Sequence, residues 1–181
     1  MDRIIMDKNG KGDYSNENTM IISWAENNIK GTYGSADIIK VGMMELLSEA
    51  DNYKESVADK VDFENTKFKE QEVSSRTRGY IKTKKQQCKQ DKIVWGLEAY
   101  HIHALEEVFP VCMFFPELGL LQYDQVNEDN AAHIDRMDPD PDVGYVPGNV
   151  RRISAKANMI KNQFRGELIL AVGQGMAKKG L

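Results

Sequence analysis

The sequence predicts an α+β protein, with an N-terminal helical region over residues 1–75 and, over 76–181, a basic helix followed by a small domain of two short strands and a helix. Three observations carry that expectation. Residues 35–50 place apolar side chains at helical spacing. Residues 75–90 form a run of good helix formers crowded with lysine and arginine. Residues 130–162 read as strand, irregular loop, strand and helix.

A chain of 181 residues is long enough for one domain with a real core, or for one domain with a helical appendage. With 29% charged and 41% hydrophobic residues it has the composition of a soluble globular protein rather than a disordered tail. No apolar run approaches the ~18 residues that a membrane span needs. The opening MDRIIMDKNG has no apolar h-region, so no signal-directed secretion is expected. Cys88 and Cys112 make neither a disulfide framework nor a CxxC pair, and a reducing cytoplasm is the expected compartment.

The net charge of −4 hides an uneven distribution. Residues 1–75 carry 9 basic and 15 acidic groups, whereas residues 76–181 carry 15 basic and 13 acidic ones. Arg76, Arg78, Lys82, Lys84, Lys85, Lys89 and Lys92 face the single acid Asp91. An acidic stretch from Asp124 to Asp142 follows, and then a second basic block of Arg151, Arg152, Lys156, Lys161 and Arg165. An acidic island between basic flanks suits a metal centre beside a phosphate-binding surface; solvated helix faces around an acidic loop explain the same charges.

Taken in order, Asp7 to Asp13 imitates a calcium loop but places Lys11 and Asn18 where oxygen-rich ligands are needed, so it is read as a glycine-rich turn. Residues 19–24 suit a short strand or the start of a helix. Ser35 is a candidate N-cap for a helix to about Ala50, with Ile38, Ile39, Met43, Leu46 and Leu47 as its apolar stripe. Residues 52–72 suit a surface helix or helical linker, and 75–90 the basic helix.

Ile93 to Trp95 reads as a strand, leading through Gly96 into a helix over about 98–108. His101 and His103, two residues apart, lie on different helix faces and cannot jointly hold a metal. Residues 109–123 read as short strands joined by a tight turn.

In residues 130–162, Ala132 to Met137 can be a strand, and Asp138-Pro-Asp-Pro-Asp-Val-Gly144 must be an exposed loop. Val146 to Ile153 returns as a strand through Pro147-Gly148, and Ser154 can cap a helix that offers Asn158, Lys161, Asn162 and Arg165 on its polar side. Asp135, Asn149 and Asn158 then stand at the strand end, the loop's return and the helix, where oxygen ligands can gather round one hard divalent cation.

These strings resemble the HNH, or ββα-metal, nuclease superfamily, most closely its small phage-encoded members. Asp135-Arg136-Met137-Asp138-Pro139 resembles the family's Asp-His-Ile-x-Pro, and Asn149-Val-Arg-Arg-Ile its Asn-Leu-x-x-Leu. Asn158 matches the closing His/Asn, with Lys161 after it, and the likeness spans about residues 80–165. Residues 1–75 share none of it.

The resemblance implies a phage-type endonuclease in a host cytoplasm that hydrolyses DNA with one Mg²⁺ or Mn²⁺ held by Asp135 and Asn158. It makes Asn149 the brace of the loop. Arg136 departs from the pattern, because it fills the general-base position and a guanidinium does not give up its proton; it can instead stabilise a phosphate's charge. His133, two residues before Asp135 on the same strand face, can serve as the base, or the site runs without one. Lys82, Lys84, Lys85, Lys89, Arg151, Arg152, Lys156 and Lys161 are the expected DNA-binding residues. Ser154 and Ala157 stand where relatives carry zinc cysteines, so no structural zinc is expected, and Phe114, Phe115, Leu118 and Ile153 are expected to pack in its place. The alternative is a catalytically degenerate HNH scaffold that binds nucleic acid, or a host defence protein through the acidic N-terminal region.

Overall fold

A computed structural model describes residues 2–3, 19–20, 29, 33–49, 61, 71–123, 128–162 and 164–180. The expected turn at 7–13, most of the stretches 19–24 and 52–72, and Asp124 lie outside them. The chain mixes helix and sheet. Strands β1 (Asp2–Arg3) and β2 (Thr19–Met20) pair antiparallel. Helices α1 (Ser35–Glu49), α2 (Ser75–Gln90) and α3 (Ala99–Val108) follow, then a 3₁₀ turn at Pro116–Leu118. Strands β3 (Ala132–Arg136) and β4 (Val150–Ser154) lead directly into α4 (Ala155–Lys161), and α5 (Gly166–Lys178) closes the chain. Among the described residues no helix is long and apolar enough to cross a membrane.

Two compact units form, one from residues 1–46 with 159–181 and the other from 47–158. The boundary drawn at residue 75 from the sequence does not coincide with this division, because α5 packs on α1. Gly42 makes that approach possible, since a Cβ there would lie 2.5 Å from the Leu170 backbone nitrogen. Glycines 166 and 173 meet Leu46 and Ile39 equally closely. The buried face of α1 is therefore Ile38, Val41 and Gly42, while Met43 and Leu47 of the expected stripe stand 54% and 60% exposed.

The second unit is built round Cys88, Leu97, Ile102, Leu105, Ile134, Tyr145 and Val150. Ser74 caps α2 by accepting from Thr77 N at 3.1 Å. His101 completes a capping box on α3, its Nδ1 accepting from Glu98 N at 2.9 Å. The segments expected as strands at 93–95 and 109–123 make only isolated bridges, Trp95 with Tyr145, Val111 with Leu120 and Gln122 with Ala131. Prolines 110 and 116 leave too few backbone donors there for a ladder. Phe114, Phe115 and Ile153 are fully buried and Leu118 is half-buried.

Strands β3 and β4 pair antiparallel with His133 opposite Ile153 and Asp135 opposite Arg151. Every residue of β4 is buried. The outward N–H of Ile134 on β3 donates to the Tyr80 hydroxyl at 2.9 Å, so α2 supplies a partner to the strand's open edge.

Helix α4 is shorter than the sequence suggested. It begins with Ala157 N donating to Ser154 Oγ at 3.2 Å, and it ends at Lys161, with Asn162 in the left-handed region at φ 48°. Asn162 and Arg165 therefore do not continue its polar face.

Candidate functional site

The loop between β3 and β4 is shaped from both sides. On the inside, the Asn149 side chain accepts from Asp138 N at 2.8 Å and donates to the Asp138 and Gly144 carbonyls at 3.1 and 2.8 Å. On the outside, Tyr145 N donates to Val94 O and Gly96 N to Tyr145 O. Gly144, at φ 70°, lies so close to that segment that a Cβ would stand 2.3 Å from Val94 O. The acids of the loop serve its own turns: Asp138 and Asp140 accept from the backbone N–H two residues on, at 3.0 and 2.8 Å.

Asp135 is engaged across the strand pair. Arg151 donates Nε and Nη2 to its Oδ2, at 2.9 and 2.8 Å. The arginine is 0% and the aspartate 6% exposed. The Arg151 guanidinium also lies over the Phe114 ring, 5.0 Å from its centroid.

His133 faces α4, with Nδ1 3.4 Å from Asn158 Nδ2. Its pKa is held below the ordinary histidine value by burial and then by the Lys84 charge, against an opposing pull from Asp135. His133 is thus neutral near pH 7, with an imidazole nitrogen turned to an amide.

Arg136, in the position the resemblance gives to a general base, donates to the Asp140 carbonyl at 3.2 Å and lies 5.2 Å from the Tyr145 ring centroid. Lys84 lies at the same distance from that ring.

The expected DNA-binding residues divide. Lys82, Lys85 and Lys89 are exposed along α2, as are Arg76 and Arg78. Lys156 is half-buried, with Nζ 4.5 Å from the Phe115 ring centroid. Arg151, Arg152 and Lys161, at 0%, 5% and 4% exposure, are no part of a surface. Arg152 binds the turn segment from within, donating Nη1 to Phe109 O at 3.0 Å and Nη2 to Leu121 O at 2.6 Å. A basic string on a strand buried on both faces must find protein acceptors, which is why Arg151 and Arg152 do not face solvent.

The fit of a divalent cation to Asp135 and Asn158 turns on charge. The only carboxylate of that pair is already compensated by a buried guanidinium. A hard divalent ion needs oxygen ligands with uncompensated negative charge, and these residues do not offer it in this arrangement. Sequence reasoning missed Tyr80 and Tyr145 as anchors of the site. The signal for Tyr80 was present, because Tyr80, Lys84 and Cys88 repeat at four-residue spacing and so mark the inner face of α2.

No protein-family model, curated protein or solved structure matches the chain.

Proposed function

We propose that this chain is a nucleic-acid-binding protein on an HNH-like ββα scaffold, in which the metal-dependent chemistry of that resemblance has given way to phosphate binding. The observation that carries the reading is the exposed row of Lys82, Lys85 and Lys89 on α2, flanked by Arg76, Arg78 and Lys92, with Asp91 as the one acid in the run. A cationic helix of this kind neutralises backbone phosphates and releases counterions, whatever the sequence bound. The antiparallel β3–β4 pair running straight into α4, with Asn149 tying the intervening loop, supports the scaffold assignment.

Titration of a fluorescent DNA duplex at several salt concentrations tests this. Affinity is expected to fall steeply with salt. The triple variant Lys82→Gln/Lys85→Gln/Lys89→Gln is expected to lower the slope of log affinity against log salt by about 2.7, at ~0.9 per phosphate contact. Salt-independent binding, or none, overturns the reading.

A specific observation favours a second reading, phosphodiester hydrolysis by the same unit. The neutral His133 beside Asn158 is a group able to take a proton from water. Supercoiled-plasmid nicking with Mg²⁺, Mn²⁺ or EDTA separates the two. Metal-dependent nicking that is lost in His133→Ala establishes hydrolysis, and intact plasmid under every condition leaves binding alone.

A further inference from the structure

The solvent face of α2 is divided lengthwise. Arg78, Lys82, Lys85 and Lys89 follow one another at steps of four, three and four residues, and all are exposed. At about 100° and 1.5 Å per residue, that spacing sets them in one stripe about 17 Å long. Gly79, Thr83, Gln86 and Gln90, each one residue after a cation of the first stripe, repeat the same steps as a second stripe, exposed and uncharged. Thr77, Tyr80, Ile81 and Cys88 are buried or half-buried on the other side. Neither outer stripe therefore carries an acid or an apolar side chain.

Gly79 belongs to the middle of this face and weakens the helix it sits in. A Cβ there would meet no atom within 4 Å, so no packing among the described residues calls for it. Gly175 of α5 is equally open; what distinguishes Gly79 is the row of cations beside it. Glycine on such a face lets a ligand come close to the backbone.

The two stripes select the kind of ligand. Protein partners are held by aromatic and apolar anchors, which this face lacks. A cationic edge beside a row of amides matches duplex DNA, whose phosphates border the major groove and whose base edges form its floor. A helix about 10–12 Å across enters that groove, which is about 12 Å wide. The major groove of an RNA duplex is too deep and narrow to be read this way.

We propose that α2 lies in the major groove of duplex DNA, with its cationic stripe on phosphates, Gln86 and Gln90 on base edges, and Gly79 giving the groove room to approach. The proposal rests on the nucleic-acid reading and deepens it, because phosphate contacts carry no sequence preference whereas a glutamine amide pairs with N6 and N7 of adenine. Four residues apart, the two glutamines stand about 6 Å apart along the helix and correspond to adenines about two base pairs apart.

The test incubates the full chain with a pool of DNA duplexes randomised over a central segment and sequences the bound fraction. Adenine is expected to be enriched at two positions about two base pairs apart. Gln86→Ala/Gln90→Ala is expected to lose that preference, about tenfold at each position, and to keep the parent's salt slope. The triple variant of Lys82, Lys85 and Lys89 is expected to do the reverse. Placing 7-deazaadenine, which lacks the N7 acceptor, at the two positions is expected to weaken binding by the parent and not by the glutamine variant. Gly79→Leu is expected to unfold at a higher temperature than the parent, leucine being the better helix former, yet to lose duplex affinity; a glycine of purely structural role gives no such opposition.

Salt-sensitive binding without base preference, a preference that survives the glutamine variant, or undiminished binding by Gly79→Leu overturns the groove assignment and leaves the phosphate reading standing. A chain that binds no duplex overturns both.

Discussion

Arg151 places two guanidinium N–H groups on one oxygen of Asp135, at 2.9 and 2.8 Å, across the only register pair of β3 and β4 that joins opposite charges. Removing one member of a buried pair strands the other charge, which costs about 3–5 kcal/mol, whereas replacing both with apolar residues of similar volume is often close to neutral. Asp135→Ala and Arg151→Ala are each expected to lose about 4 kcal/mol in urea unfolding. Asp135→Leu/Arg151→Met is expected to recover most of it. A double variant no better than either single one shows that the pair is not the unit of stability. The same reasoning makes loss of function in Asp135→Ala uninterpretable unless folding is measured beside it.

Asn149 joins both ends of its loop through three hydrogen bonds. Asn149→Ala leaves two carbonyls and an N–H short of partners, at an expected cost of about 3 kcal/mol. Asn149→Asp can still accept from Asp138 N but sets a carboxylate against the Asp138 and Gly144 carbonyls, and is expected to be no better than alanine. Limited proteolysis should show new cleavage between residues 138 and 148 in both variants. An unchanged digestion pattern argues against the bracing role.

Two loop glycines share a left-handed backbone and differ in surroundings. A Cβ on Gly144 would strike Val94 O, while one on Gly148, at φ 85°, meets open space. Gly148→Ala is expected to cost only the conformational penalty, about 1–2 kcal/mol. Gly144→Ala must also displace the segment that bridges Trp95 to Tyr145 and is expected to cost at least twice as much. Equal losses in thermal unfolding would show that the contact with Val94 is not the constraint.

Burial depresses the pKa of His101, with Glu98 opposing, and its Nδ1 accepts the Glu98 N–H, which a protonated ring cannot do. Because the folded pKa lies below the unfolded one, the unfolded chain binds more protons in that window. The contribution to stability is complete above the ordinary value near 6.5 and is lost as pH falls through the lowered folded value. The depressed His133 adds a loss of the same sign. His101→Gln keeps an acceptor at the third helical position of the capping box and is expected to flatten the decline in unfolding midpoint between about pH 7 and about pH 5. A variant with the parent's full decline assigns the effect elsewhere.

Local chemistry determined much of this protein from the sequence alone. Ser154 sits before a helix because its hydroxyl accepts one of the first free N–H groups, whereas Ser35, with the same chemistry, is the first residue of its helix. The prolines and Gly144 confine 138–149 to a loop, and Asn149 is an amide placed where a loop needs one. The mixed helix-and-sheet class followed from such short-range rules.

What tertiary structure decided is the fate of charge and of apolar surface, which depends on partners distant in the chain. Met43 and Leu47 have the spacing of a core stripe, yet Gly42 draws α5 onto the neighbouring face. Arg151 and Arg152 read as phosphate ligands because charge is usually solvated, and became internal ties because β4 is covered on both sides. Lys84 looked like one lysine among many until α2 set it over the Tyr145 ring. A sequence states which groups carry charge, whereas the dielectric and the counter-charge each one meets exist only once the chain has folded round it.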